Sequence, residues 1–196
     1  MSETSVLLIV VASIFTSNVL LSNFLGMCSF LACSQQIGTS VGLGAAVTFV
    51  MTCTTTINYL VYHHVLVPWK LEHLTFICFI AVIAGFVQFV EMFVERFSRK
   101  LYYALGIFLP LITVNCAILG SSLFMVIREY SFIQSVGFGV GSGLGWALAI
   151  VLIAGLREKM RYSNVPRPFR GVAITMVITG VMAMAFMGFA GMVAIQ

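Results

Sequence analysis

Leu105-Gly-Ile-Phe-Leu-Pro-Leu-Ile-Thr-Val-Asn-Cys-Ala117 belongs to an uncharged run, Leu101–Ile127, long enough to cross a bilayer. Gly106 and Pro110 interrupt it, and Asn115 and Cys116 follow directly. A helix that only sits in lipid needs neither a proline nor an adjacent amide and thiol. Broken backbone at membrane depth survives where protein or a water-filled cavity supplies the lost hydrogen bonds. Polar groups at that depth are costly and mark functional positions. A second thiol, Cys28 in Asn23-Phe-Leu-Gly-Met-Cys28, sits in a comparable setting beside Gly26. Two thiols, one in each half and each near a helix breaker, point to a metal or redox site inside a membrane protein. Free cysteine is also a common small packing residue, and the residues alone leave both readings of this pair open.

Composition fixes the class. Hydrophobic residues make up 61% of the 196 and charged residues 8%, against about a quarter charged in soluble domains. Mean hydropathy is +1.10. No charged residue occurs between Glu3 and Lys70, and further uncharged runs cover Leu101–Ile127, Tyr130–Leu156 and Gly171–Gln196, with a shorter one at His73–Val90. A span takes about 20 apolar residues, so the first run holds two helices with a turn at Ser34-Gln-Gln-Ile-Gly-Thr-Ser40. The expectation is an all-α integral membrane protein with six transmembrane helices, at about 5–33, 40–63, 72–94, 102–127, 131–156 and 171–194. These form a single membrane domain over residues 1–196. The N-terminal run lacks a basic flank and a small-x-small cleavage site, so it is expected to stay as the first span.

Eight of the ten basic residues fall on the first, third and fifth loops: Arg96, Arg99, Lys100, Arg157, Lys159, Arg161, Arg167 and Arg170. Only Lys70 and Arg128 lie on the opposite face. The positive-inside rule then makes 34–40, 95–101 and 157–170 cytoplasmic and both termini periplasmic. This bias accounts for the net charge of +4 without a nucleic-acid partner.

The halves are comparable. Each has its cysteine in its first span and a glycine-rich span next, Val41-Gly-Leu-Gly-Ala-Ala in one and Gly137-Phe-Gly-Val-Gly-Ser-Gly-Leu-Gly145 in the other. Three spans per half means that a duplicated half enters the membrane from opposite sides. The reading is two inverted three-helix repeats, about 5–94 and 102–194, with interrupted helices one and four meeting near the midplane. Glycines also permit plain close helix packing.

The remaining candidates are weaker. Cys33, Cys53 and Cys78 have no polar companions at ligand spacing and read as packing residues. Two thiolates do not complete a tetrahedral site or an iron–sulfur cluster, so a neighbouring protein built the same way is the economical source of two more. Gln88, Glu91 and Glu95 share a helix face that would line the bundle or a cation path. The stronger reading of Glu91 is that it snorkels toward Arg96 or Arg99. His63, His64 and His73 read as interfacial, Asn58 and the threonines of Thr52-Cys-Thr-Thr-Thr56 as self-satisfied, and Arg128–Glu129 as a loop ion pair. No hydrolytic triad, Walker loop or dinucleotide fingerprint is present, so no catalytic residue is assigned.

The Cys116 motif, Phe24-Leu-Gly-Met-Cys28, Gly141-Ser-Gly-Leu-Gly-Trp146 and Arg157-Glu-Lys-Met-Arg-Tyr-Ser-Asn-Val-Pro166 together resemble one family. Its members are the small membrane subunits shared by the sodium-translocating NADH:quinone oxidoreductase and the Rnf electron-transport complex. The resemblance runs along essentially the whole chain. Gly145-Trp146, Arg128-Glu-Tyr-Ser-Phe132 and Tyr162-Ser-Asn-Val-Pro166 are most similar to the quinone-reductase branch, with the RnfA branch the runner-up. The resemblance implies a homologous partner of opposite orientation, NqrD of the reductase, with NqrA, NqrB, NqrC and NqrF around the pair, in a bacterial inner membrane. It implies an iron centre, a [2Fe–2S] cluster, held by Cys28, Cys116 and the matching pair of the partner. Asn115 and the backbone freed at Gly26 and Pro110 would surround the sulfurs. NAD and flavins would sit on other subunits, electrons would cross the membrane to reduce ubiquinone, and sodium ion would be transported. A stand-alone inverted-repeat cation transporter, with Gln88 and Glu91 on the ion path, is the reading from another class.

Overall fold

Glycine, asparagine and serine punctuate otherwise continuous apolar sequence, and the helices stop and start at those residues. The computed structural model describes residues 6–97, 109–163, 166 and 170–189. Its α-helices are α1 (Val6–Ile14), α2 (Val19–Asn23), α3 (Met27–Cys33), α4 (Ile37–Val61), α5 (Thr75–Phe97), α6 (Leu109–Thr113), α7 (Cys116–Ile127), α8 (Phe132–Met160) and α9 (Val172–Met187). A π-helical turn, Tyr62–Leu66, extends α4, and a 3-10 turn, Glu72–Leu74, leads into α5. No strand occurs among the described residues, so the all-α expectation holds. Gly106, Arg99, Lys100, Arg167 and both termini lie outside them.

Among the described residues, three helical stretches are long and apolar enough to cross a membrane unaided: Ile37–Leu66, Glu72–Phe93 and Phe132–Met160. Leu111–Ile127 and Val172–Met187 are shorter apolar helices. The expected first span is cut twice. Asn18 makes the first cut: its Oδ1 accepts from the Leu20 and Leu21 N–H groups at 3.1 and 3.3 Å, starting α2. Its Nδ2 donates to the Ile14 carbonyl at 3.0 Å and the Gly145 carbonyl of α8 at 2.8 Å. One amide thereby satisfies backbone groups on both sides of a break, as broken helices at this depth require. The second cut is at Phe24 (φ 55°) and Gly26 (φ 83°), both left-handed.

Among the described residues, the fourth span breaks at Val114–Asn115, and the Gly106 side of Pro110 lies outside them. Proline is tolerated in the first turn of a helix, and Pro110 stands second in α6. Asn115 has extended backbone (φ −75°, ψ 110°) and caps α7, its Oδ1 accepting from the Ala117 N–H at 3.0 Å. The first turn is also shorter than expected. α4 begins at Ile37 because Gln36 is already extended and serves as its cap, and Ser40 Oγ donates to the Gln36 and Cys33 carbonyls.

α8 is the axis of the packing. It contacts α4 most extensively, and also α1, α2, α7 and α9. A Cβ on Gly143 would lie 2.8 Å from the Thr48 Cα, one on Gly139 2.8 Å from Thr55 Oγ1, and one on Gly141 2.9 Å from the Val10 carbonyl oxygen. Small residues there let three backbones approach closely. Arg157, near the end of α8, donates to the Leu31 carbonyl at 3.0 Å and Ser34 Oγ at 2.7 Å, closing the C-terminal end of α3. Among its described side chains, α5 buries the Thr75, Phe79, Ile83 and Val87 edge and leaves much of its apolar surface outward.

Two side-chain expectations are corrected. The threonines do bond back to their own helix, but Asn58 does not: its Nδ2 donates to Ser122 Oγ of α7 at 2.8 Å. Arg128 does not pair with Glu129. It donates to Tyr130 Oη at 3.1 Å and lies over the Phe124 and Phe138 rings, because Glu129 adopts φ 50° at the tight turn into α8. His63 stacks on Tyr59 at 4.6 Å. His63 and His64 both lie on the outward side of their turn, as interfacial residues do.

Candidate metal centre at the helix breaks

The two breaks meet. The Gly26 N–H, at the start of α3, donates to Cys116 Sγ, at the start of α7, over 2.9 Å. Ninety residues of chain separate the partners. Cys28 stands in the first turn of the helix that Gly26 begins, so both sequence-predicted thiols belong to one junction. Cys116 is half-buried and Cys28 exposed.

Gly26 is also the wall of this junction. A Cβ there would lie 2.6 Å from Trp146 Nε1, 2.9 Å from Asn115 Oδ1 and 3.1 Å from the Ala117 Cβ. Trp146 is fully buried. Its indole N–H and the Asn115 Nδ2 are both buried without a hydrogen-bond partner. A buried donor left unmade costs about 1–3 kcal/mol, so two around one glycine mark a place that wants an acceptor. Trp146 is the residue that a residue-by-residue reading of the sequence misses. Its signal is an indole at the end of a glycine-rich stretch, where the helix surface is otherwise too bare to bury anything.

Phe24 and Val114, the residues at the breaks, are 52% and 77% exposed. Irregular backbone does not face lipid, so this side of the junction needs another protein surface. Among the described residues, no three of His, Cys, Asp and Glu gather as a metal site. The donor set of this chain is two thiols, with unpaired N–H groups nearby. That chemistry fits half of a sulfur-ligated iron centre: anionic sulfur is what the orphaned donors lack.

The other predicted residues stand apart. Gln88 and Glu95 are exposed on α5 and Glu91 is half-buried, while Val87 takes the inward position. Cys33 is buried, and Cys53 and Cys78 are half-buried; none of the three joins the junction.

The model of the family described as Rnf-Nqr subunit, membrane protein, matches residues 6–193. A protein of Maridesulfovibrio salexigens is 52% identical over 193 residues, 93% of this chain and 96% of its own length. One from Psychromonas ingrahamii is 53% identical over the same shares. One from Chlamydia trachomatis is 53% identical over 90% of this chain and 78% of its own length. All three are named as the E subunit of the Na(+)-translocating NADH-quinone reductase.

Proposed function

The chain belongs to the Rnf-Nqr family of membrane subunits, and on that premise we propose that it is the E-type membrane subunit of a sodium-translocating NADH:quinone reductase. Cys28 and Cys116 are two of the four sulfur ligands of a [2Fe–2S] centre completed by a homologous partner. The observation that carries this reading is the junction itself, where the Gly26 N–H holds Cys116 Sγ at 2.9 Å and the chain is open on the Cys28 side. When bound, the centre supplies a one-electron couple inside the low-dielectric region. The chain's own residues hold the ligands. Asn115 fixes the start of α7 and so the position of Cys116. Gly26, which has no side chain, lets Trp146 and Asn115 pack against the backbone whose N–H meets Cys116 Sγ. The apolar surround keeps water away, and donors to sulfur tune such centres.

In the same reading the six spans are two inverted three-helix repeats. α1 and α2 pack on α8 while α7 packs on α4, the reciprocal exchange that such a repeat gives. The partner is the oppositely oriented NqrD, which covers Phe24, Cys28 and Val114, and NqrA, NqrB, NqrC and NqrF complete the complex. The protein is a multi-pass component of the bacterial inner membrane with both termini periplasmic. Gln88 is exposed and Glu91 half-buried on α5, so any cation route that they line runs along a boundary with a neighbour.

Iron analysis of the purified complex tests the assignment. Cys28→Ala or Cys116→Ala should remove the iron and abolish NADH:quinone activity, whereas Cys53→Ala and Cys78→Ala should cost about 1 kcal/mol of packing and keep the iron. Full iron in both ligand variants would end the proposal.

A further inference from the structure

At the opposite extreme of α8 from its Ser131 cap, Arg157, Arg161 and Arg170 line a cavity of about 390 Å3. Ser163, Gly171 and Thr175 supply further polar walls, and Met160 and Ile174 the apolar ones. No acidic residue lines it among the described residues. Arg157 enters with part of its guanidinium already committed to Leu31 and Ser34 through Nη1. Those two bonds fix its position on the cavity wall. Gly171 begins α9 without a side-chain cap, so the first N–H groups of a 16-residue helix add to the same positive field.

Depth selects the ligand. The 29 residues of α8 span about 43 Å at about 1.5 Å per residue, which matches the ~40–45 Å of a bilayer with its headgroups. The cavity at its end therefore lies at headgroup level. Beneath it the flanks of both helices are apolar and outward-facing: Leu152 and Leu156 on α8, Val172 and Met176 on α9. Charged donors above exposed apolar helix surface are what a phosphate head over acyl chains requires. Fork-shaped guanidinium groups suit phosphate oxygens, and basic pockets between membrane helices bind acidic head groups.

We propose that this cavity binds the phosphate headgroup of an anionic phospholipid from the surrounding leaflet. It is separate from the helix breaks, and its failure would leave the metal centre untouched. The test is native mass spectrometry of the whole complex taken from nanodiscs of phosphatidylcholine with increasing phosphatidylglycerol. Arg161→Gln with Arg170→Gln should raise the phosphatidylglycerol fraction for half-occupancy of the retained lipid by about thirtyfold, from the contribution of two surface arginines. Lys159→Gln, outside the cavity, should shift it far less. Iron content, read in the same samples, reports that the variant complex is intact; should the double variant fail to assemble, Arg161→Gln alone serves, with a shift of about fivefold. Equal lipid retention by wild type and an iron-loaded variant overturns the proposal. Displacement of the lipid by millimolar inorganic phosphate overturns it too, since the ligand would then be a soluble phosphate.

Discussion

Replacing Gly26 by alanine should be among the most damaging single-methyl changes in the chain. Gly26 has φ 83° and ψ 18°, a left-handed conformation that costs an L-residue about 1–2 kcal/mol. The new Cβ would stand 2.6 Å from Trp146 Nε1 and 2.9 Å from Asn115 Oδ1. Neither can swing away: Trp146 is fully buried, and Asn115 Oδ1 is held by the Ala117 N–H. Overpacking of that kind adds about 1–3 kcal/mol, so the sum is about 2–5 kcal/mol. Gly42→Ala is the comparison, because a Cβ there meets nothing within 4 Å and alanine gains up to about 1 kcal/mol in a helix interior. SDS titration of the full-length chain in mixed micelles, followed by far-UV circular dichroism, reads both. The shift that relieves the clash also drags the Gly26 N–H from Cys116, so maleimide labelling of Cys116 should change in Gly26→Ala and not in Gly42→Ala. Unfolding midpoints of the two variants within about 0.5 kcal/mol, on the scale of ordinary surface substitutions, would refute the reasoning.

Ser142 is buried with no partner for its hydroxyl, so Ser142→Ala should be neutral or stabilise by up to about 1 kcal/mol. The same titration checks it, and a loss above about 1 kcal/mol would mean that the hydroxyl has a partner in the membrane. For orientation, a reporter active only in the periplasm should work when fused after Gln196 and fail after Lys100; cytoplasmic activity of the Gln196 fusion would overturn the count of spans.

The class of the protein, the glycine-rich helices and the break at Gly26 can be read from the sequence because each leaves a local mark. An uncharged run, a repeated small residue or a glycine beside polar side chains is visible without a partner. The break near Asn115 is legible too, although Pro110, a stronger breaker in general, is the more conspicuous residue. Asn18 leaves no comparable mark: an asparagine after a serine is common, and its importance comes from the Gly145 carbonyl, distant in sequence. Trp146 against Gly26, Asn58 against Ser122 and Arg157 against Leu31 are hidden for the same reason. Each depends on which helices become neighbours, and hydropathy is blind to that choice.

α1 has nine residues, about 14 Å of helix, and cannot cross a bilayer by itself. α8 reaches this part of the chain at two points: Asn18, at the first break, bonds Gly145, 127 residues on, and Arg157 reaches back 126 residues to Leu31 near the end of α3. The short helices α1 to α3 are therefore finished by a helix more than a hundred residues further along the chain, and they hold their broken path only once α8 lies against them.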